Sequence, residues 1–195
     1  MITFAPPLAA LDRKFGLESV IITTMQAVSG AGYPGVPSLD ITDNVFPYIS
    51  GEEPKVETEA QKILGSFANG RIEKSDFTVS AQCFRVNVSD GHTAAVRVKL
   101  KRTATLEDIK RAMMDFPNLD LQSSPKPFIY VCDEPDRPQP RLDRDRGKGM
   151  SITVGRLYPD SVYDYRFVCL SHNTIRGAAG AAILNAELLI AKKLI

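Results

Sequence analysis

Tryptophan is missing from this 195-residue chain, and cysteine and histidine are scarce, at three and two copies. Cys83, Cys132 and Cys169 are widely spaced, odd in number and form no Cys-x-x-Cys pair. That excludes a disulfide framework and makes a reducing, cytoplasmic setting the expectation. Cys169 and His172 have a spacing that can ligate a metal, but no second pair accompanies them, so no metal site is expected. Excess charge is lacking too: 24 basic residues face 23 acidic ones, which argues against nucleic acid or a membrane surface as a partner. No apolar run reaches the length of a membrane span. The N-terminus, "MITFAPPLAALDRKFG", has no basic leader and is broken by Pro6 and Pro7, so it does not read as a secretory signal. It starts in mid-apolar stretch, as a fragment would whose partner elements lie upstream.

With 44% hydrophobic and 24% charged residues, the chain has the composition of one ordinary globular domain with a substantial core. "SVIITTMQAV" reads as a strand, because β-branched residues dominate it. Acids at the start of "EEPKVETEAQKILG", Lys62 near its end and the stop at Gly65 predict a helix from about Glu53 to Leu64. Two alternating runs flank Ser89-Asp90-Gly91 and predict a strand, a turn and a strand. Thr105 is placed to cap a helix with Leu106, Ile109, Met113 and Phe116 on one face and its methionines in the core. Three further strands are expected in "KPFIYVC", "MSITVGRLY" and "YDYRFVCLS". A closing helix, "NTIRGAAGAAILNAELLIAKKLI", is rich in small residues where another backbone can approach. No regular βα repeat emerges, so the expected class is α+β, with helices packed on a mostly antiparallel sheet.

Gly30-x-Gly32-x-x-Gly35 matches the glycine fingerprint that nucleotide-binding folds place between a strand and a helix. The preceding strand fits. Pro34 and Pro37 oppose a long helix afterwards, and Asp40 and Asp43 come too early for the ribose-binding acid. A plain glycine-rich turn or a site loop, in which the missing side chain lets backbone approach a ligand, are the other readings.

Among polar residues, Arg85 interrupts an apolar strand and His92 follows the Ser89-Asp90-Gly91 turn. Together they suit a small anionic substrate: a guanidinium fork binds a carboxylate in two bonds while an imidazole moves a proton. In a hairpin, both would share a face if Asn87 paired with His92, and would not if Val88 did. Glu52 and Lys55, at the start of the first long helix, could hold an amine and a phosphate, or be plain solvated helix residues. The run from Arg137 to Lys148 alternates in sign and reads as a solvated or intersubunit loop rather than a polyanion site.

Six stretches, "MQAVSGAGYPGVPSLDITDN", "PYISGEEPKVETEAQKILG", "CFRVNVSDGH", "DEPDRPQPRLDRD", "VGR" and "LSHNTIRGAAG", resemble the aspartate-semialdehyde dehydrogenase family in its fungal and archaeal branch. The resemblance implies a domain like the C-terminal domain of glyceraldehyde-3-phosphate dehydrogenase, serving catalysis and dimerisation across residues 1–195. The NADP-binding Rossmann domain would lie outside this chain, as would the nucleophilic cysteine, in an Asn-Cys turn just before Met1. NADP is then the cofactor of the full-length enzyme and is not expected on this fragment alone, which is expected to be inactive. By resemblance His92 is the general acid/base, Gln26 orients the acyl intermediate and Arg85 clamps the substrate carboxylate. Glu52 contacts the amine, Lys55 binds phosphate, and Gly30 and Asn173 border the nicotinamide. The implied reaction reduces β-aspartyl phosphate through a cysteine thioester to aspartate semialdehyde, for lysine, threonine and methionine synthesis, in a homodimer or homotetramer. Alternatives are a non-catalytic dimerisation module, or a domain of the related N-acetyl-glutamyl-phosphate reductase.

Overall fold

A computed structural model describes all residues from Met1 to Ile195. Helix α1 (Ala5–Phe15) opens on Pro6 and Pro7, which a first helical turn tolerates because its amide groups have no intrahelical partner. Strand β1 (Leu17–Gln26) leads into a 3-10 turn (Val28–Ala31), a short α2 (Ser38–Ile41) and β2 (Val45–Phe46). Helix α3 (Glu52–Ile63) and the small hairpin β3 (Ser66–Ala68) and β4 (Arg71–Glu73) follow. Next come β5 (Thr78–Val86), β6 (His92–Leu100), α4 (Leu106–Met114), β7 (Ile129–Val131) and α5 (Pro140–Asp143). Strands β8 (Ile152–Pro159) and β9 (Tyr165–Ser171), a π-helical turn (Ile175–Ala179) and α6 (Gly180–Ala191) complete the chain.

Seven strands form one sheet in the order β2-β5-β1-β6-β9-β8-β7. Its pairings are antiparallel except β1 with β5 and β7 with β8, in keeping with the expected class. The hairpin reading of β5 and β6 is overturned: β1 lies between them, parallel to one and antiparallel to the other. Both register alternatives therefore fall away. The β5–β6 connection crosses over the end of β1, and the chain leaving β1 bonds to it through Val28 N–H to Val88 O (2.8 Å) and Ser29 N–H to Ser89 O (3.2 Å). Strand β1, rich in β-branched residues, gains a partner on each edge, which is where the most buried strand of a sheet belongs.

One sheet face carries the core. Strand alternation turns Ile22, Ala81, Val96 and Phe167 toward the helices, while Arg97, Lys99 and Arg166 face away and are exposed. Helix α4 is capped by Thr105 as expected, and the cap is a full capping box, with Thr105 accepting from the Asp108 amide. Of its predicted apolar face, Ile109 and Met113 are buried, but Leu106 is exposed and Phe116 lies past the helix end; of the two methionines expected in the core, Met114 is exposed. Ala112, outside the predicted face, is also buried. The final helix begins later than expected, after the π turn, and carries exposed Ile183, Leu189 and Ile190.

The charge-rich run is also more organised than a solvated loop. Asp143 is fully buried and accepts from Arg137 Nε (2.7 Å), Arg146 Nε (2.8 Å) and the Gln139 amide (2.8 Å). Arg144 reaches back to Ser89 Oγ and the Asp90 carbonyl, each at 3.1 Å, bracing the crossover turn.

Candidate active site

Because paired residues on neighbouring strands share a face, register alone assembles the centre of this site. Gln26 pairs with Arg85, and extending the β1–β6 register by one residue sets His92 opposite Gln26. His92 in turn pairs with Ser171. The row one step inward is Cys83, Thr24, Ala94 and Cys169, all on the core face. Arg85, Gln26 and His92 thus form the last core-facing row of the sheet, where apolar packing gives way to a polar cavity.

That cavity, about 640 Å³, is also lined by Gly30, Glu52, Lys55 and Asn173, so all seven sequence-selected residues meet in it. Glu52 and Lys55 arrive on the first turn of α3, with Glu52 Oε1 accepting from Gln26 Nε2 at 3.3 Å and Glu52 Oε2 lying 3.7 Å from Lys55 Nζ. Asn173 comes from the segment after β9. Gly30 stands at the end of the 3-10 turn, where a side-chain carbon would lie 2.8 Å from His92 Cε1 and 2.9 Å from Arg85 Nη1. Only a residue without a side chain fits so close an approach.

Ala27 holds the two central side chains with its backbone. Its N–H donates to His92 Nδ1 at 3.0 Å, and its carbonyl accepts from Arg85 Nη1 at 2.8 Å. Sequence reasoning missed it, since a backbone role leaves no mark on residue type. With Nδ1 occupied as an acceptor, the neutral imidazole carries its proton on Nε2, the nitrogen facing Gly30. Burial, then the Arg85 charge, then the chain's amino group lower the His92 pKa to about 4, against weaker upward pulls from Glu52 and Asp90. The ring is therefore neutral at pH 7. Burial also lowers the Arg85 pKa, partly offset by Glu52, and no carboxylate bonds to its guanidinium.

None of the three cysteines lines the cavity, and burial raises the pKa of each. They are inert core thiols rather than nucleophiles. The glycine fingerprint is followed by an extended stretch and the four-residue α2, not by a helix able to hold a pyrophosphate.

A family profile described as "Semialdehyde dehydrogenase, dimerisation domain" matches residues 8–176. The chain belongs to that family. It is 58% identical over 180 residues to an aspartate-semialdehyde dehydrogenase of Archaeoglobus fulgidus, covering 92% of this chain and 52% of the relative. Identity to an Aspergillus fumigatus enzyme of the same name is 54%, covering 95% and 55%. The crystal structure of the Candida albicans aspartate-semialdehyde dehydrogenase with NADP superposes with a TM-score of 0.88 at 47% identity, covering 97% of this chain and 55% of that one. The chain thus spans about half the length of the curated relatives it matches. In this family member no helix is long and apolar enough to cross a membrane.

Proposed function

We propose that these 195 residues are the catalytic and dimerisation half of an NADP-dependent aspartate-semialdehyde dehydrogenase, whose nucleophilic cysteine and cofactor domain lie outside them. The observation that carries this reading is the convergence of Arg85, Gln26 and His92 in one sheet row, closed by Glu52 and Lys55. The ligand set suits a small amino acid with a phosphorylated side chain. Arg85, buried with open donors, binds the α-carboxylate in a fork. Glu52 receives the ammonium group, and Lys55 at the rim attracts the phosphate. Gln26, whose amide nitrogen donates to Thr24 and Glu52, orients the acyl oxygen by exchanging one of those bonds for it. A free amino group opposite Glu52 favours this substrate over an N-acetylated one.

The residues here do not fit the pyrophosphate of a dinucleotide, since the glycine turn opens no long helix. They fit only its reactive end, with Gly30 and Asn173 bordering the place of the nicotinamide. NADPH, when bound, supplies the hydride. His92 then manages the proton at the reacting oxygen through Nε2. Protonation at Nδ1 displaces the Ala27 N–H, so burial, the Arg85 charge and this bond make the imidazolium a readier acid than a free one.

The test is reconstitution. This chain, co-purified with an N-terminal half from the Archaeoglobus fulgidus relative, should catalyse phosphate-dependent NADP reduction by aspartate semialdehyde. A stable complex with no activity on that substrate would overturn the proposal; the chain alone should show none.

A further inference from the structure

Half-buried Asn173 spends its amide on two bonds within the chain, one of them at the surface. Its Oδ1 accepts from the Gly91 N–H at 2.8 Å, and its Nδ2 donates to Ser29 Oγ at 2.8 Å. Each of those residues immediately precedes a member of the site: Gly91 comes before His92, and Ser29 before Gly30. We infer that Asn173 is a positioning residue that clamps the 3-10 turn to the Gly91–His92 corner and so fixes how closely Gly30 approaches His92 and Arg85; this rests on the reading of the cavity as the active site.

Three observations support it. First, the clamped contact has no slack, because even one added carbon at Gly30 would fall within 2.9 Å of both side chains. Second, the same turn starts at Ala27, whose N–H and carbonyl engage His92 and Arg85, so any drift of the turn moves both. Third, the jaw that carries Asn173 is anchored. Ser171 and His172 before it are buried, and Gly177 N–H closes back on the His172 carbonyl at 3.1 Å. The turn's other bonds, to the Val88 and Ser89 carbonyls, tie it only to the crossover. Asn173 adds β9 as a third support. An asparagine suits the place because its single terminal group offers an acceptor and a donor to two segments at once.

The clamp is tested without substrate or cofactor, by NMR titration of the His92 ring in this chain, assigned by loss of the signal in His92→Asn. The parent ring is expected to titrate at about 4, set by its burial, Arg85, the chain's amino group, Glu52 and Asp90. Asn173→Ala frees the turn, admits water and loosens Arg85, and should raise the midpoint by about one pH unit, a roughly tenfold change in proton affinity. Ser29→Ala cuts one arm and should raise it less, and the double variant should add little to Asn173→Ala. Folded variants that titrate like the parent overturn the inference. If Asn173→Ala fails to fold, Ser29→Ala decides alone by the same criterion. In the reconstituted enzyme, Asn173→Ala should lower kcat about tenfold with little change in KM for aspartate semialdehyde. An inactive reconstituted parent whose titration shifts as described would sink the functional reading and leave the clamp. An active one whose titration ignores both substitutions would do the reverse.

Discussion

Two arginine centres in this molecule differ in chemistry: one is a partly exposed pair on a buried carboxylate, the other a buried guanidinium beside the cavity. Around Asp143, Arg137 and Arg146 converge on one buried carboxylate, and every acceptor lone pair in reach is used. Arg85 is a residue only 6% exposed, and its guanidinium makes a single bond, to the Ala27 carbonyl. The two are shifted in opposite directions: the Arg137 pKa is raised, chiefly by its bond to Asp143, whereas the Arg85 pKa is lowered by burial. A buried carboxylate whose acceptor sites are filled by partly exposed cations holds a loop together. Arg85, buried with donors to spare on the wall of the cavity, is poised for an anion that the chain does not itself provide.

The strongest way to break this comparison is at the saturated centre. Asp143→Ala leaves two arginines and the Gln139 amide without their acceptor, and should cost about 2 to 3 kcal/mol, because the arginines keep partial access to water. Urea unfolding of the chain would measure it, and a loss below about 0.5 kcal/mol would show the network to be ornamental. Acid gives an independent reading. Burial pushes the Asp143 pKa up, but Arg137, the Gln139 amide and Arg146 outweigh it and hold the carboxyl at about 2. With the folded pKa below the unfolded one, this stabilisation is full above about pH 4 and fades as pH falls through about 2. Asp143→Ala should lack that part of the acid transition.

At the open centre the effect moves from stability to catalysis. Arg85→Lys in the reconstituted enzyme keeps the charge and loses the fork, so catalytic efficiency should fall roughly tenfold to hundredfold. Kinetics matching the parent would remove Arg85 from the carboxylate site. Gly30→Ala should follow with a loss of about tenfold, since its methyl group must displace the His92 ring or the end of the Arg85 side chain. Unchanged turnover there would mean that the 3-10 turn yields freely.

Strand position made Arg85 and His92 legible, whereas Gln26, Gly30 and Asn173 came from family resemblance alone. Arg85 is in phase with Ala81 and Cys83, so an arginine on the core face could be read as out of place from the sequence. The fold around it was less legible. Nothing in the alternation of residues 77–101 says that a third strand separates the two runs, because pairing across long sequence separations is decided by the edges each strand offers. The site gains from that miss: the crossover over β1 sets Gln26 between Arg85 and His92. Asp143 was illegible for another reason. Its burial comes from the arginines that meet it, and a run of mixed charges looks the same in sequence whether solvated or folded on itself.

The smallest expected effect sharpens the comparison most, because it is defined by what fails to happen. If Arg85 is held open for a ligand, this chain gains little stability from its charge: burial costs the guanidinium hydration, and one bond to the Ala27 carbonyl returns only part of it. Arg85→Met keeps most of the buried hydrocarbon and removes the charge. Unfolding free energy should therefore stay within about 1 kcal/mol of the parent, or rise, in contrast to Asp143→Ala. The same substitution in the reconstituted enzyme should abolish use of aspartate semialdehyde, because no cation then meets the carboxylate. Urea titration and kinetics of the one variant separate the two roles. A loss of several kcal/mol in the chain alone would make Arg85 a structural residue like Arg137, and the distinction between the two centres would collapse.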